Sequence, residues 1–162
     1  MPSFRTTRRV PHTPAQMFAL VADVERYPEF VPLCESLRVC RRAQSGEGVE
    51  TLVAEMTVGY KSIRESFITR VTLDKPRQRI HVEYVEGPFK YLENRWDFRP
   101  DPAGCLVTFH IAYEFKSMAL GLVMGAVFDR AFRKFTEAFE ARADAIYRRP
   151  QASRGAGASP TP

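Results

Sequence analysis

The 162-residue chain has only three histidines, three cysteines and one tryptophan. His12, His81 and His110 are far apart, and no HxH, HExxH or Cys/His cluster occurs, so the patterns of a catalytic or structural metal are missing. Cys34, Cys40 and Cys105 are odd in number and lack a CxxC spacing. They read as free thiols, mostly buried. No GxSxG elbow supports a serine nucleophile. No run reaches the roughly 18 apolar residues needed to span a bilayer. The longest uncharged run is Ser117–Phe128, "SMALGLVMGAVF". Acid is missing from the end of the chain: three of the 24 Lys and Arg, and none of the 19 Asp and Glu, lie beyond Tyr147. The net charge of +5 therefore overstates the folded part, and "PQASRGAGASPTP" reads as a disordered tail over 148–162. Arg5/Arg8/Arg9 and Arg38/Arg41/Arg42 fall on expected edge strands, where positive charge blocks edge pairing.

What remains is an apolar, Phe-rich chain, 44% hydrophobic and 12% aromatic, sized for one domain over residues 1–147. "FRTTRRV" at the start reads as a strand rather than a targeting segment. Thr13 and Pro14 then begin a helix, with Thr13 as N-cap and Pro14 where a missing N–H costs nothing. Pro28 and Pro32 stop it, leaving room for a second short turn. Five segments from Val49 to Phe115 alternate with one apolar face, the mark of half-buried antiparallel strands. "SGEG", "DKPRQ", "EGP" and "RPDPAG" make the turns. Leu120 to Tyr147 reads as one long helix with Phe128, Phe132, Phe135, Phe139, Ala143 and Ile146 on a single stripe. A curved sheet with one apolar face needs a cover, and this helix is long enough. Such a pair leaves a gap. "YPEFVPLC", Tyr27–Cys34, is then a stiff apolar lip at one end of that gap, its prolines reducing the entropy lost on ordering.

Four stretches in order, "YPEFVPLC", "GPFKYLENRWDF" (Gly87–Phe98), "VTFHIAYEFKS" (Val107–Ser117) and "AFEARA" (Ala138–Ala143), carry a resemblance over roughly residues 3–147. The chain resembles the START-like, helix-grip domains of the polyketide cyclase/dehydrase superfamily. More narrowly, it is similar to the coenzyme Q-binding family, with bacterial ribosome-association toxins as near relatives. The family commonly has Trp or Gly before the lip cysteine, where this chain has Leu33. The resemblance implies an α+β helix-grip (START/Bet v 1-like) fold: a curved antiparallel sheet of about seven strands around a long C-terminal helix, with two short helices after the first strand. It also implies an apolar cavity and non-enzymatic binding of ubiquinone as a ligand, with no catalytic cofactor. The expected setting is cytoplasmic and peripheral to the inner membrane (the matrix side in a mitochondrion), near respiratory complexes. The alternatives are a ribosome-directed inhibitor of subunit joining and a cyclase/aromatase-like enzyme.

Candidate ligand contacts follow from the inward faces. Tyr27, Phe30 and Pro32 belong to the lip. Trp96, Phe109, Phe128 and Phe132 form an aromatic wall on which a quinone ring can stack. Tyr60, Tyr113, Glu65 and Asn94 offer polar contacts, and Glu65 is the one credible acid or base for an enzyme. His81 and His110 alternate onto the outer face. Phe89, Leu120, Gly121, Leu122, Met124 and Gly125 are the expected membrane-facing lid, with the two glycines loosening the helix start.

Overall fold

A computed structural model describes residues 3–147; the expected tail lies outside the described residues. Strand β1 (Ser3–Val10) leads to α1 (Pro14–Ala22) and a 3-10 helix (Val24–Glu29). Six strands follow: β2 (Cys34–Gly46), β3 (Val49–Tyr60), β4 (Ile63–Asp74), β5 (Arg79–Glu86), β6 (Phe89–Asp101) and β7 (Gly104–Phe115). Helices α2 (Met118–Arg133) and α3 (Phe135–Tyr147) close the chain. The sheet order is β1-β7-β6-β5-β4-β3-β2, antiparallel throughout. It is a meander whose first strand returns beside the last.

Local chemistry explains the boundaries. The Thr13 hydroxyl accepts the Gln16 N–H, and the Gln16 side chain accepts the Thr13 N–H, each at 3.0 Å. This reciprocal cap satisfies two donors that the helix start leaves without partners. Gly87 ends the β5–β6 hairpin at φ +146°, where an added Cβ would stand 2.5 Å from the Phe67 Cβ. Only glycine fits that approach.

The alternating pattern is met in β3–β7, with Leu52, Val71, Ile80, Trp96, Val107 and Phe109 buried on the inner face. The C-terminal layer differs from the expected single rod. It begins at Met118 under a Ser117 cap and breaks at Lys134, whose N–H bonds back three residues to the Ala131 carbonyl. This tighter turn bends the layer so that Phe132 and Phe135, on either side of it, meet edge to face at 5.2 Å. Ile146 does not extend the stripe: it is 50% exposed. Tyr147 turns inward instead, and its hydroxyl donates to the Gln16 carbonyl.

Candidate functional site

The inner face of β2–β7 and helices α2 and α3 do not fill the space between them. A cavity of about 100 Å³ remains, walled by side chains such as Leu33, Met56, Val82, Leu92, Ile111 and Phe139. The curved strands hold one side open while bulky rings on the helices bridge to the other. Of the expected contacts, Tyr27, Pro32, Asn94, Trp96, Phe128 and Phe132 reach this wall.

The other candidates do not. Phe30 packs edge-on against Phe139 at 5.0 Å, with the Arg142 guanidinium over its ring. Phe109 is fully buried, wedged between Trp96 and Phe135. Tyr113 packs on Phe132 at 5.2 Å and directs its hydroxyl to the Gly125 carbonyl. Tyr60 ends β3 with Lys61 over its ring. Glu65 lies on the inward parity of β4 opposite Val58, but it is half-buried near the β3–β4 hairpin and outside the cavity wall. Alternation assigns a face correctly and says nothing of depth along the strand.

The wall carries no ionised side chain. Burial pushes the Tyr27 phenol far above its usual range, so it stays neutral, and its hydroxyl donates to the Val21 carbonyl. Asn94 is held by a two-sided clamp. Its Nδ2 donates to the His110 carbonyl at 2.9 Å, and its Oδ1 accepts the Trp96 indole N–H at 3.0 Å. These partners fix the amide orientation, because an indole only donates and a carbonyl only accepts. The amide keeps one N–H and one lone pair for another partner. Thr69, buried in the same wall, supplies a hydroxyl. Sequence reasoning placed Thr69 on the inner face but did not name it as a contact. Leu33 was read as part of the lip but not named as a contact: it enters the wall through a left-handed backbone, φ +70°.

The expected lid divides. Phe89 is 1% exposed, stacked on Phe115 at 4.8 Å and edge-on to Phe67 at 5.2 Å. Met124 is 2% exposed. Both belong to the core, because the β6 start and the inner stripe of α2 meet there. Leu120 is half-buried, and Gly121 lies against Phe115. Leu122 does face outward, 81% exposed, beside Met118 at 83% and Val123 at 56%. Among the described residues, no group of three or more His, Cys, Asp and Glu is placed to hold a metal, and no helix is long and apolar enough to cross a membrane. Cys34 and Cys105 are buried thiols, each pushed up to about 11 by burial, and Cys40 is exposed.

The profile of the polyketide cyclase / dehydrase and lipid transport family matches residues 10–140. The chain is 35% identical over 148 residues to the ribosome association toxin RatA of Escherichia coli, covering 91% of this chain and 90% of that one. It is 31% identical over 150 residues to the mitochondrial coenzyme Q-binding protein COQ10 homolog B of Xenopus laevis, covering 88% and 58%. Among solved structures, the 18 kDa protein CC1736 of Caulobacter crescentus superposes with a TM-score of 0.75 at 41% identity, over 91% of this chain and 99% of that one. A START superfamily protein of Mycobacterium smegmatis shares the fold, with a TM-score of 0.73 at 20% identity over 89% and 98%.

Proposed function

The chain belongs to the polyketide cyclase / dehydrase and lipid transport family, and from that premise we propose that it binds a polyprenyl quinone, ubiquinone in the first instance, and carries it without making or breaking a bond. The observation that carries this reading is the apolar cavity with Asn94 and Thr69 as polar contacts. A quinone carbonyl accepts the spare Asn94 N–H or the Thr69 hydroxyl, and its ring lies against Trp96 and Phe132. Each buried CH₂ of the tail contributes about 0.8 kcal/mol, so the ligand exchanges between this slot and a lipid surface rather than with water. The wall offers no carboxylate, imidazole or amine to move a proton, which favours carriage over cyclase chemistry.

Size dictates how the ligand enters. A 150 Å³ apolar cavity accepts benzene, and about 100 Å³ is smaller than that. A substituted quinone therefore displaces part of the wall. The movable part is α2, which supplies Phe128 and Phe132. Its exposed Met118, Leu122 and Val123 face is the surface that would meet lipid, which supports a reading in which the protein works at the inner membrane near respiratory complexes.

Trp96 provides the test, since it is the one tryptophan in the chain and lines the cavity. A short-chain ubiquinone should quench its fluorescence saturably, and protein purified from a quinone-containing host should release ubiquinone into organic solvent. An empty extract together with unchanged fluorescence would remove the carrier reading. A second reading, association with the ribosome, is favoured by the RatA relatives. Sedimentation of the protein with ribosomal subunits would support it.

A further inference from the structure

The outer face of the sheet carries a row that quinone carriage does not use. Arg5 on β1 is in register with His110 on β7, His110 with Arg95 on β6, and Arg95 with His81 on β5. Four adjacent strands thus present Arg, His, Arg, His in one line, about 14 Å long at the usual strand spacing. Along the next line lie Thr7, Thr108, Asp97 and Arg79. Between the two lines runs an open groove of about 490 Å³, lined by the cationic and polar side chains of Arg5, Arg79, His81, Arg95, Thr108 and His110 and by the carboxylate of Asp97.

Internal partners hold only one side of the groove. Glu93 takes His81 at 2.8 Å and Arg95 at 2.7 Å, and Asp97 takes Arg79 at 3.4 Å. The hydrogen bond from His81, with the help of Arg95, keeps the Glu93 carboxyl down at about 2. These carboxylates orient the side chains of β5 and β6. Among the described residues, no hydrogen bond or ion pair holds the side chains of Arg5 or His110. They face the groove with their donors unspent.

We propose that this outer groove binds the phosphate backbone of double-stranded RNA. The inference deepens the ribosome reading by naming the surface that would touch nucleic acid. Guanidinium and imidazole N–H donors at strand spacing, with the Thr108 hydroxyl among them, suit a ligand with regularly repeated anionic oxygens. An acidic peptide fits less well. The row crosses the strands, and its one edge strand, β1, lies at its end, so a peptide added along that edge would run across the row rather than along it. A bilayer fits less well as the occupant, because the exposed apolar face of α2 lies on the opposite side of the sheet. A-form RNA offers a wide, shallow minor groove edged by phosphates and 2′-hydroxyls, which a broad sheet face can meet. The narrow minor groove of B-DNA does not.

The test is binding of the full chain to a labelled RNA duplex of about 16 base pairs, across a salt series. The wild type should bind, more tightly than it binds the same sequence as DNA, and its affinity should fall with salt. Arg5→Ala combined with Arg95→Ala should weaken binding about tenfold and reduce the salt slope by about 2, one for each phosphate contact removed. Quenching of Trp96 by quinone should be unchanged in that variant, which shows that the fold is intact. No duplex binding by the wild type overturns the proposal. So does equal affinity for RNA and DNA, or a double variant that binds as tightly with the same salt slope. Loss of binding to phosphatidylglycerol vesicles, rather than to RNA, in the double variant also overturns it and assigns the groove to a membrane. Wild-type and double-variant protein that sediment equally with ribosomal subunits would end the groove proposal and leave the ribosome reading standing. Duplex binding without sedimentation would do the reverse.

Discussion

Helices α2 and α3 derive from one aromatic stripe, yet they are held to the rest of the fold in different ways. The α3 helix is bolted down. Asp144 bonds the buried His12 at 2.7 Å, Glu140 pairs with Arg8, Arg142 pairs with Glu29, and Tyr147 reaches Gln16. Phe139 and Ala143 are at most 1% exposed. The lip also rests on this helix: Tyr27 and Phe30 both meet Phe139 edge to face. The α2 helix has two glycines, an exposed apolar face, and a long hydrogen bond of 3.4 Å from Tyr113 to the Gly125 carbonyl. One half of the cover is tied by polar contacts; the other rests mainly on apolar packing, and the break at Lys134 separates the two. On the quinone-carrier reading, α2 is the half expected to shift.

The largest effect should come from removing the bolt's apolar centre. Phe139→Ala empties a site in contact with Trp96, Tyr27 and Phe30, and a loss of about 3–5 kcal/mol is expected in chemical denaturation. His12→Ala comes next. It removes a buried ring that is hydrogen-bonded to Asp144 and packed on Tyr147, at a cost of about 1–3 kcal/mol. If α3 is the fixed half, both variants should loosen protection of α3 amides in hydrogen exchange. Neither should change the exchange of the first turns of α2. Equal loosening of both helices would erase the contrast.

Much of this arrangement was legible in the chain. Alternation from Val49 to Phe115 specified the strands, and the spacing from Phe128 to Ala143 specified which helix face turns inward. What was hidden depends on contacts between distant parts. His12 does lie in the loop before α1, but its burial was hidden because its partner Asp144 lies 132 positions away. Phe89 looked like part of an exposed rim because it begins a strand after a turn. Its burial depends on Phe67, Phe115 and Phe128, which converge from three other elements. The break at Lys134 has neither proline nor glycine to announce it. Glu65 had the right parity and the wrong depth.

The α2 half can be stiffened without disturbing its contacts. A Cβ at Gly121 would sit 3.8 Å from Phe115, ordinary contact, and at Gly125 it would meet nothing within 4 Å. Gly121→Ala and Gly125→Ala together should therefore stabilise the protein by about 1–2 kcal/mol, through helix propensity and a less free unfolded chain. If α2 must bend aside for a quinone to pass, the same pair should slow quinone dissociation, read from recovery of Trp96 fluorescence, although neither glycine lines the cavity. A more stable protein with unchanged release would show that α2 does not gate the cavity.

The smallest effect tests the fixed half at its rim. Leu33 lies in the wall at φ +70°, a conformation that costs a residue with a Cβ about 1–2 kcal/mol. Leu33→Ala keeps that strain and loses the side chain, so it should destabilise. Leu33→Gly also loses the side chain but releases the strain, offset by about 1 kcal/mol of added freedom in the unfolded chain. Its stability should stay within about 1 kcal/mol of the wild type and above that of the alanine variant. Glycine outranking alanine reverses the order found in helices and strands. Thermal unfolding of the two variants side by side decides it, and alanine proving the more stable would mean that the lip backbone is not held in the left-handed region. The same glycine variant should bind quinone more weakly, because a wall side chain is gone while the fold persists.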